Sequence, residues 1–247
     1  MAVSSTLTFD PLLVPVSRVD HDLPAVPAAH LQPEALRQRF ASPPEWAPEV
    51  VREPRFADRA PAQAAVLVPI VLRSPAEGGP TVLLTLRTAH LSTHSGQIAF
   101  PGGKVDAQDP SVQAAALREA HEEVGLQPEH VQVIGELPVY VTGTAFMVTP
   151  VVGLVQPGFS LQPNPGEVAD VFEVPLAFLM NPAHHRRHRL DWQGRQREWF
   201  SMPYTEHRTS ALGQTEAVER FIWGATAGML RNFYRFLLAE QASAEVT

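Results

Sequence analysis

Apolar positions organise the chain before any chemistry is considered. From Ala64 to Leu72 nearly every residue is aliphatic, a run dense enough for a buried strand. Pro69 inside it predicts an edge or a bulge rather than a fully paired centre. Ser74-Pro75 and Gly78-Gly79-Pro80 mark a turn. Thr81 to Arg87 then alternates, with Val82, Leu84 and Leu86 on one side, and predicts the paired strand. Gln97 to Phe100 predicts a short strand ending at Pro101-Gly102-Gly103. The period next becomes helical, with Asp109 read as the N-cap, Pro110 as the first helical residue and Gly125 as the stop after Val124. Strands are expected at Val131 to Tyr140, Met147 to Val155 and Trp199 to Tyr204, and a short helix at Val174 to Met180. Ala225 to Glu240 predicts an amphipathic helix whose buried stripe is Met229, Leu230, Phe233, Phe236 and Leu237. Strands with interspersed helices predict a mixed α/β or α+β domain, and no internal repeat is visible.

The pattern is not uniform. Ten of the 24 prolines precede residue 62, and hydrophobic periodicity is weak there. Residues 1–61 therefore read as a proline-rich extension, an irregular arm packed on the domain or on a partner, with one short helix at Pro33 to Phe40. Residues 62–240 read as the folded domain and 241–247 as a tail.

Composition narrows the function classes. The chain has 247 residues, 45% of them hydrophobic and 18% charged, enough to bury a sizeable core. Nineteen Lys and Arg against 26 Asp and Glu give a net charge of −7. That balance argues against non-specific nucleic-acid binding and against polybasic membrane attachment, both of which need cations at the surface. Absence of cysteine excludes disulfides, thiol catalysis and cysteine-based zinc sites. Met1 to Leu13 lacks a basic n-region, and no aliphatic run is long enough to span a bilayer. The expectation is a soluble cytoplasmic protein that handles phosphate, if at all, through a local site with a metal.

The helix from Asp109 to Val124 carries that site. At about 100° per residue, Glu119, Glu122 and Glu123 share one face, while Leu117, Ala120 and Val124 form an apolar stripe roughly opposite. Three carboxylates at this spacing repel one another near the helix C-terminus, where the macrodipole also disfavours anions. A hard divalent cation, Mg²⁺ or Mn²⁺, relieves both penalties. Three glutamates alone more often make a solvated acidic face. The Pro101-Gly102-Gly103 turn upstream changes that balance, because glycines let a backbone approach an anion or pack tightly beside the helix.

Together these residues resemble the Nudix box, Gly-x5-Glu-x7-Arg-Glu-U-x-Glu-Glu-x-Gly-U, in which U is a bulky aliphatic. Arg118, Glu119, Glu122, Glu123, Gly125 and Leu126 match its second half, with the smaller Ala120 at the first U. The first half departs: Asp109 replaces Glu, and one extra residue separates it from Arg118. The departure is similar to the coenzyme A diphosphatase subfamily, whose upstream signature is matched by Leu83-Leu84-Thr85-Leu86-Arg87, Gly96 and Phe100-Pro101-Gly102-Gly103. Thr88 replaces a small residue of that signature, and Ser92 replaces its arginine. Asn164-Pro165-Gly166-Glu167-Val168 with Val174-Pro175-Leu176, and Ile222-Trp223-Gly224-Ala225-Thr226-Ala227, resemble downstream parts of the same subfamily.

The resemblance implies a Nudix α/β/α sandwich with a mixed β-sheet, and a metal-dependent hydrolase that cleaves the diphosphate of coenzyme A or its thioesters to 3′,5′-ADP and 4′-phosphopantetheine or its acyl form. It implies Glu119, Glu122 and Glu123 as metal residues, Glu119 and Glu123 first, with the Gly103 carbonyl as a further ligand. Arg118 is expected to orient a glutamate, and Glu122 and Glu167 to serve catalysis, Glu167 as general base or further metal partner. Arg87, Gln97, Phe100, Gly102 and Gly103 are expected to hold substrate, with a surface salt bridge as the alternative role of Arg87, and a homodimer is the family expectation. The alternatives are a Nudix enzyme for ADP-ribose or a dinucleotide, and a catalytically silent nucleotide-binding module.

Other signals are weaker. His184-His185-Arg186-Arg187-His188-Arg189 is a basic run able to meet an additional phosphate, but a solvated loop or strand edge is the better reading. His90, His94 and His121 show no triad spacing, and Trp192, Trp199 and Trp223 fit core packing better than stacking on adenine.

Overall fold

The aliphatic run does form a strand, but at the centre of a sheet. The structure, a computed structural model, describes residues 10–53, 60–89, 96–192, 195–209 and 213–240. Its strands are β1 (Val16–Val19), β2 (Ala62–Val71), β3 (Thr81–Arg87), β4 (Ile98–Ala99), β5 (Gly102–Lys104), β6 (Val131–Glu136), β7 (Tyr140–Val141), β8 (Phe146–Val155), β9 (Val168–Pro175), β10 (Arg186–Trp192), β11 (Arg195–Thr209) and β12 (Thr215–Trp223). Its helices are α1 (Pro33–Ala41), α2 (Val112–Val124), α3 (Leu176–Leu179) and α4 (Gly224–Leu238). Ser92, His90, His94 and the 241–247 tail lie outside the described residues, as does the Trp192 side chain.

A mixed sheet is built around β2, in the order β4-β3-β2-β8-β6, with β5 also on β2, β7 on β8 and β9 on β3. β2 runs parallel to β8 over its whole length and antiparallel to β5 and β3 on its other side. Pro69 is tolerated there because of a gap. Leu67 donates its amide to Pro101 O, and alternate residues of a strand point their amides to the same side. Pro69 thus lacks its N–H between the β5 register, which ends at Val66, and the β3 register, which begins at Ile70.

Alternation divides the residues of this sheet between two cores. Ala65, Leu67, Val71, Leu83, Val151 and Val155 pack on α2 through Ala115, Ala116, Ala120 and Val124. The small residues at Ala115, Ala116 and Ala120 let α2 lie close to the strands. Val68, Ile70, Val82, Leu84, Val152 and Leu154 face the other way, toward Phe233, Leu237 and Leu36. That face also receives Phe200, Met202 and Ile222 of a second, antiparallel sheet, ordered β1-β10-β11-β12. The result is a helix, a mixed sheet and a further helical layer.

The arm is part of this packing. β1 adds to β10, and Val26, Leu31 and Leu36 lie in the larger core. Asp20 and Arg231 are fully buried and paired at 3.1 Å, and Glu49 accepts from Arg231 Nε at 2.6 Å. Glu53 accepts from the Tyr140 hydroxyl and the Gly143 amide.

From Arg186 onward the basic run lies in β10, an inner strand between β1 and β11 rather than a loop or a sheet edge, although the Arg189 side chain stays exposed. Arg187 pairs with Asp20 and Glu49, and Arg189 with Glu198. His188 bonds Val14 O and Ser201 Oγ in the interior, and His184 stacks on Phe178. No helix among the described residues is long and apolar enough to cross a membrane.

Candidate active site

The helix that carries the three glutamates begins two residues later than its sequence suggests. Ser111, not Asp109, is the N-cap, and its side chain accepts from Ala114 N at 3.1 Å. Gly125 ends the helix with φ +71°, a left-handed conformation that glycine adopts without a side-chain penalty. Asp109 is thereby released for another task. It accepts two bonds from Arg118, at 2.9 and 2.8 Å, and one from the Asp106 amide at 2.8 Å. These donors pull the Asp109 carboxyl down to about 2, the Arg118 bonds most strongly.

Arg118 is the hub of one half of the site. Besides Asp109 it reaches Glu119 Oε1 at 2.9 Å, Glu122 Oε2 at 3.1 Å and the Lys104 carbonyl at 3.1 Å. One guanidinium therefore ties the loop after β5 to two of the three glutamates, with its bidentate fork spent on Asp109.

Glu123 is the hub of the other half. Its side chain is 4% exposed, against 57% for Glu122. Oε1 accepts from Arg87 Nη1 at 3.2 Å and Oε2 from the Gly102 amide at 3.1 Å. Burial pushes the Glu123 carboxyl up to about 7; Glu167 and Glu119 add to the rise, while Gly102 and Arg87 oppose it. Glu119 is also raised, first by burial and then by Glu122 and Glu167, against Arg118.

Two backbone bonds bring in the downstream segment. Asn164 N donates to Glu123 O at 2.8 Å, and Thr88 N donates to Glu167 O at 2.9 Å. Glu167 thus stands beside the helix close enough to raise the buried Glu123 and the part-buried Glu119. These links join residues far apart in the chain, and only the motif positions of Glu167 and Asp109 hint at them.

The glycines sit where close approach requires them. A Cβ on Gly102 would lie 2.5 Å from Ala65 O, and one on Gly103 would lie 2.5 Å from the Glu119 carboxylate. Gln97 lies next to the site through its carbonyl, which accepts from Arg87 N at 3.0 Å. Phe100 is placed differently from the expectation: it is buried in the larger hydrophobic core, so its ring gives no surface to a ligand. His121 is exposed, and Trp199 stacks on His188.

Among the described residues no three histidine or acidic side chains stand together as a ready metal cage. Arg118 and Arg87 hold the glutamates that a cation would share. The donor chemistry nevertheless fits a hard divalent ion. Glu119 raises the cost of ionising the buried Glu123, Glu167 raises that of both, and a cation offsets such a cost.

Comparison with known proteins follows the same residues. A NUDIX domain model matches residues 61–200. The Nudix hydrolase NudL of Citrobacter koseri, itself uncharacterized, is 46% identical over 172 residues, covering 68% of this chain and 79% of its own. NudL of Shigella flexneri serotype 5b is 44% identical over 187 residues, covering 74% of this chain and 85% of its own. Among solved structures, a MutT/nudix family protein from Enterococcus faecalis aligns with a TM-score of 0.42 at 16% identity, over 74% of this chain and 63% of that one.

Proposed function

The chain belongs to the Nudix hydrolase family, and from that premise we propose a metal-dependent diphosphatase acting on coenzyme A or its thioesters. One observation carries the substrate assignment. Separate stretches that resemble the coenzyme A diphosphatases meet at Glu123: Arg87 and the Gly102 amide bind its carboxylate, and Asn164 N binds its carbonyl.

Glu119 and Glu123 would hold Mg²⁺ or Mn²⁺, with Glu122 and the Gly103 carbonyl completing the protein's share. Such an ion neutralises phosphoryl oxygens and acidifies water. The chain's own residues do the rest. Arg118 keeps Glu119 and Glu122 in place through its bonds to Asp109 and Lys104 O. Arg87 and Gln97 hold the diphosphate, and the Gly102-Gly103 backbone lets it approach. Glu167 takes the proton of the attacking water as the water oxygen bonds to phosphorus. The bridging P–O bond breaks, leaving 3′,5′-ADP and 4′-phosphopantetheine or its acyl form.

The test is a substrate panel with Mg²⁺ or Mn²⁺: coenzyme A, acetyl-CoA, ADP-ribose and NADH, with products resolved chromatographically. Turnover of the two coenzyme A forms, with both named products, is expected. Preference for ADP-ribose or NADH overturns the substrate assignment, and nucleotide binding without any turnover overturns the enzymatic one.

A further inference from the structure

Arg87 is placed oddly for a residue that only holds substrate. Its Nη1 donates to Glu123 Oε1 at 3.2 Å, while its Nε is buried with no hydrogen-bond partner among the described residues. The Glu123 carboxylate is closed on both oxygens, by Arg87 on one and by the Gly102 amide on the other. Arg118 is anchored differently, with two strong bonds to Asp109 and one to a backbone carbonyl that do not involve the glutamate face. Among the described residues Arg87 has no comparable anchor, and Glu123 is the one side-chain acceptor of its guanidinium.

We infer that Arg87 is an exchangeable counter-ion, which neutralises Glu123 before metal loading and is displaced by the divalent ion to grip the substrate diphosphate. The inference rests on the metal reading given above and adds an order of events to it. A buried carboxylate cannot stand unpaired, so a cation is needed before the metal arrives. When the divalent ion takes that role, it repels a guanidinium beside the same carboxylate. The guanidinium, with an Nε already lacking an acceptor, then turns to phosphoryl oxygens, whose geometry matches its fork. Arg87 therefore opposes metal binding and favours substrate binding, whereas a fixed brace would favour both.

The experiment measures Mn²⁺ affinity by electron paramagnetic resonance on the whole chain without substrate, together with KM for the best substrate. In Arg87→Gln, Mn²⁺ is expected to bind about tenfold more tightly while KM rises about tenfold or more. Arg87→Lys keeps the charge and loses the fork, so it is expected to keep wild-type Mn²⁺ affinity and still raise KM. If Arg87→Gln folds poorly without metal, Mn²⁺ must raise its thermal midpoint more than that of wild type. Weaker or unchanged Mn²⁺ binding in Arg87→Gln overturns the inference. Absence of Mn²⁺ binding in the wild-type protein itself overturns the metal reading instead.

Discussion

A Cβ on Gly103 would lie 2.5 Å from the carboxylate of Glu119, so the β5 backbone and α2 meet with no room for a side chain. The obstructing group is the far end of a flexible glutamate, not backbone. Gly103→Ala is therefore expected to fold, with a thermal midpoint within a few degrees of wild type, while Glu119 is pushed from its position. Turnover should fall at least about 100-fold, because misplacement of a catalytic group by an ångström has effects of that size. Gly102→Ala makes the contrast, since its Cβ would meet Ala65 O and the Val66 Cα. That variant is expected to lose stability as well as activity. Equal thermal midpoints for the two variants would contradict this division.

Asp109 offers a second test. It carries no substrate contact in the proposed mechanism but holds Arg118 by two bonds. Asp109→Asn is expected to lower kcat about tenfold or more with little change in KM, since Arg118 keeps Glu119 and Glu122 in register. The carboxyl is depressed to about 2 from an ordinary 3.8. Its stabilising effect is complete above the ordinary value and disappears as the pH falls through about 2. Urea unfolding across that window should show wild type losing its advantage over Asp109→Asn on acidification. A constant difference at all pH values would show that the ion pair is not its source.

How much of this was legible in the sequence depends on whether a residue's partner is local. The body of α2 and its Gly125 stop follow from a 3.6-residue period and one glycine and appear as expected, while the helix start lies two residues later. Pro69 misleads because a proline argues for an edge, whereas a gap between two neighbouring ladders accommodates it in a central strand. Strand β10 is hidden by its own charges: Arg187 and His188 look solvent-facing until Asp20 and Ser201, from distant segments, satisfy them. β9 and β12 mix charged and apolar positions for the same reason, as with Arg220 held by Glu206 and Asp170. Asp109 has the composition of a cap, yet Ser111 caps and Asp109 binds an arginine nine residues on. The Arg87–Glu123 pair spans 36 residues, and no local pattern records it.

The arm yields a third prediction. Asp20 is fully buried, with Arg187 and Arg231 as partners, and Leu36 lies in the larger core. Asp20→Asn leaves a buried guanidinium with a weakened partner and is expected to cost about 3 kcal/mol. Leu36→Ala is expected to cost about 2–5 kcal/mol through the cavity it leaves. Both residues lie outside the proposed catalytic apparatus. At a temperature where the variants remain folded, kcat and KM should match wild type. Stability equal to wild type in both variants would mean that the arm is dispensable for folding, contrary to its packing.

Glu122 and Glu123 are adjacent in sequence and opposite in environment, which separates their expected phenotypes. Glu122 is exposed and held by Arg118, so Glu122→Gln is expected to lower turnover by orders of magnitude while leaving the stability of the metal-free protein almost unchanged. Glu123 is buried, and its carboxyl is raised from 4.5 to about 7. A raised carboxylate takes up protons more readily in the folded state, so its ionisation costs the fold stability as the pH climbs from the unfolded value through the folded one. The cost reaches the order of 3 kcal/mol above pH 7, taking the shift at about 1.4 kcal/mol per unit. Metal-free wild type should therefore lose stability between pH 5 and 8 relative to Glu123→Gln, which has no proton to release there. Mg²⁺ should restore wild type at the upper end of that range by binding the ionised carboxylate, and should do little for Glu123→Gln. Thermal melts of both proteins at pH 5 and 8, with and without Mg²⁺, decide the matter. Parallel pH dependences for the two proteins would mean that Glu123 is not the group whose charge the site must balance, and near-wild-type turnover in both glutamine variants would reject these glutamates as the metal residues.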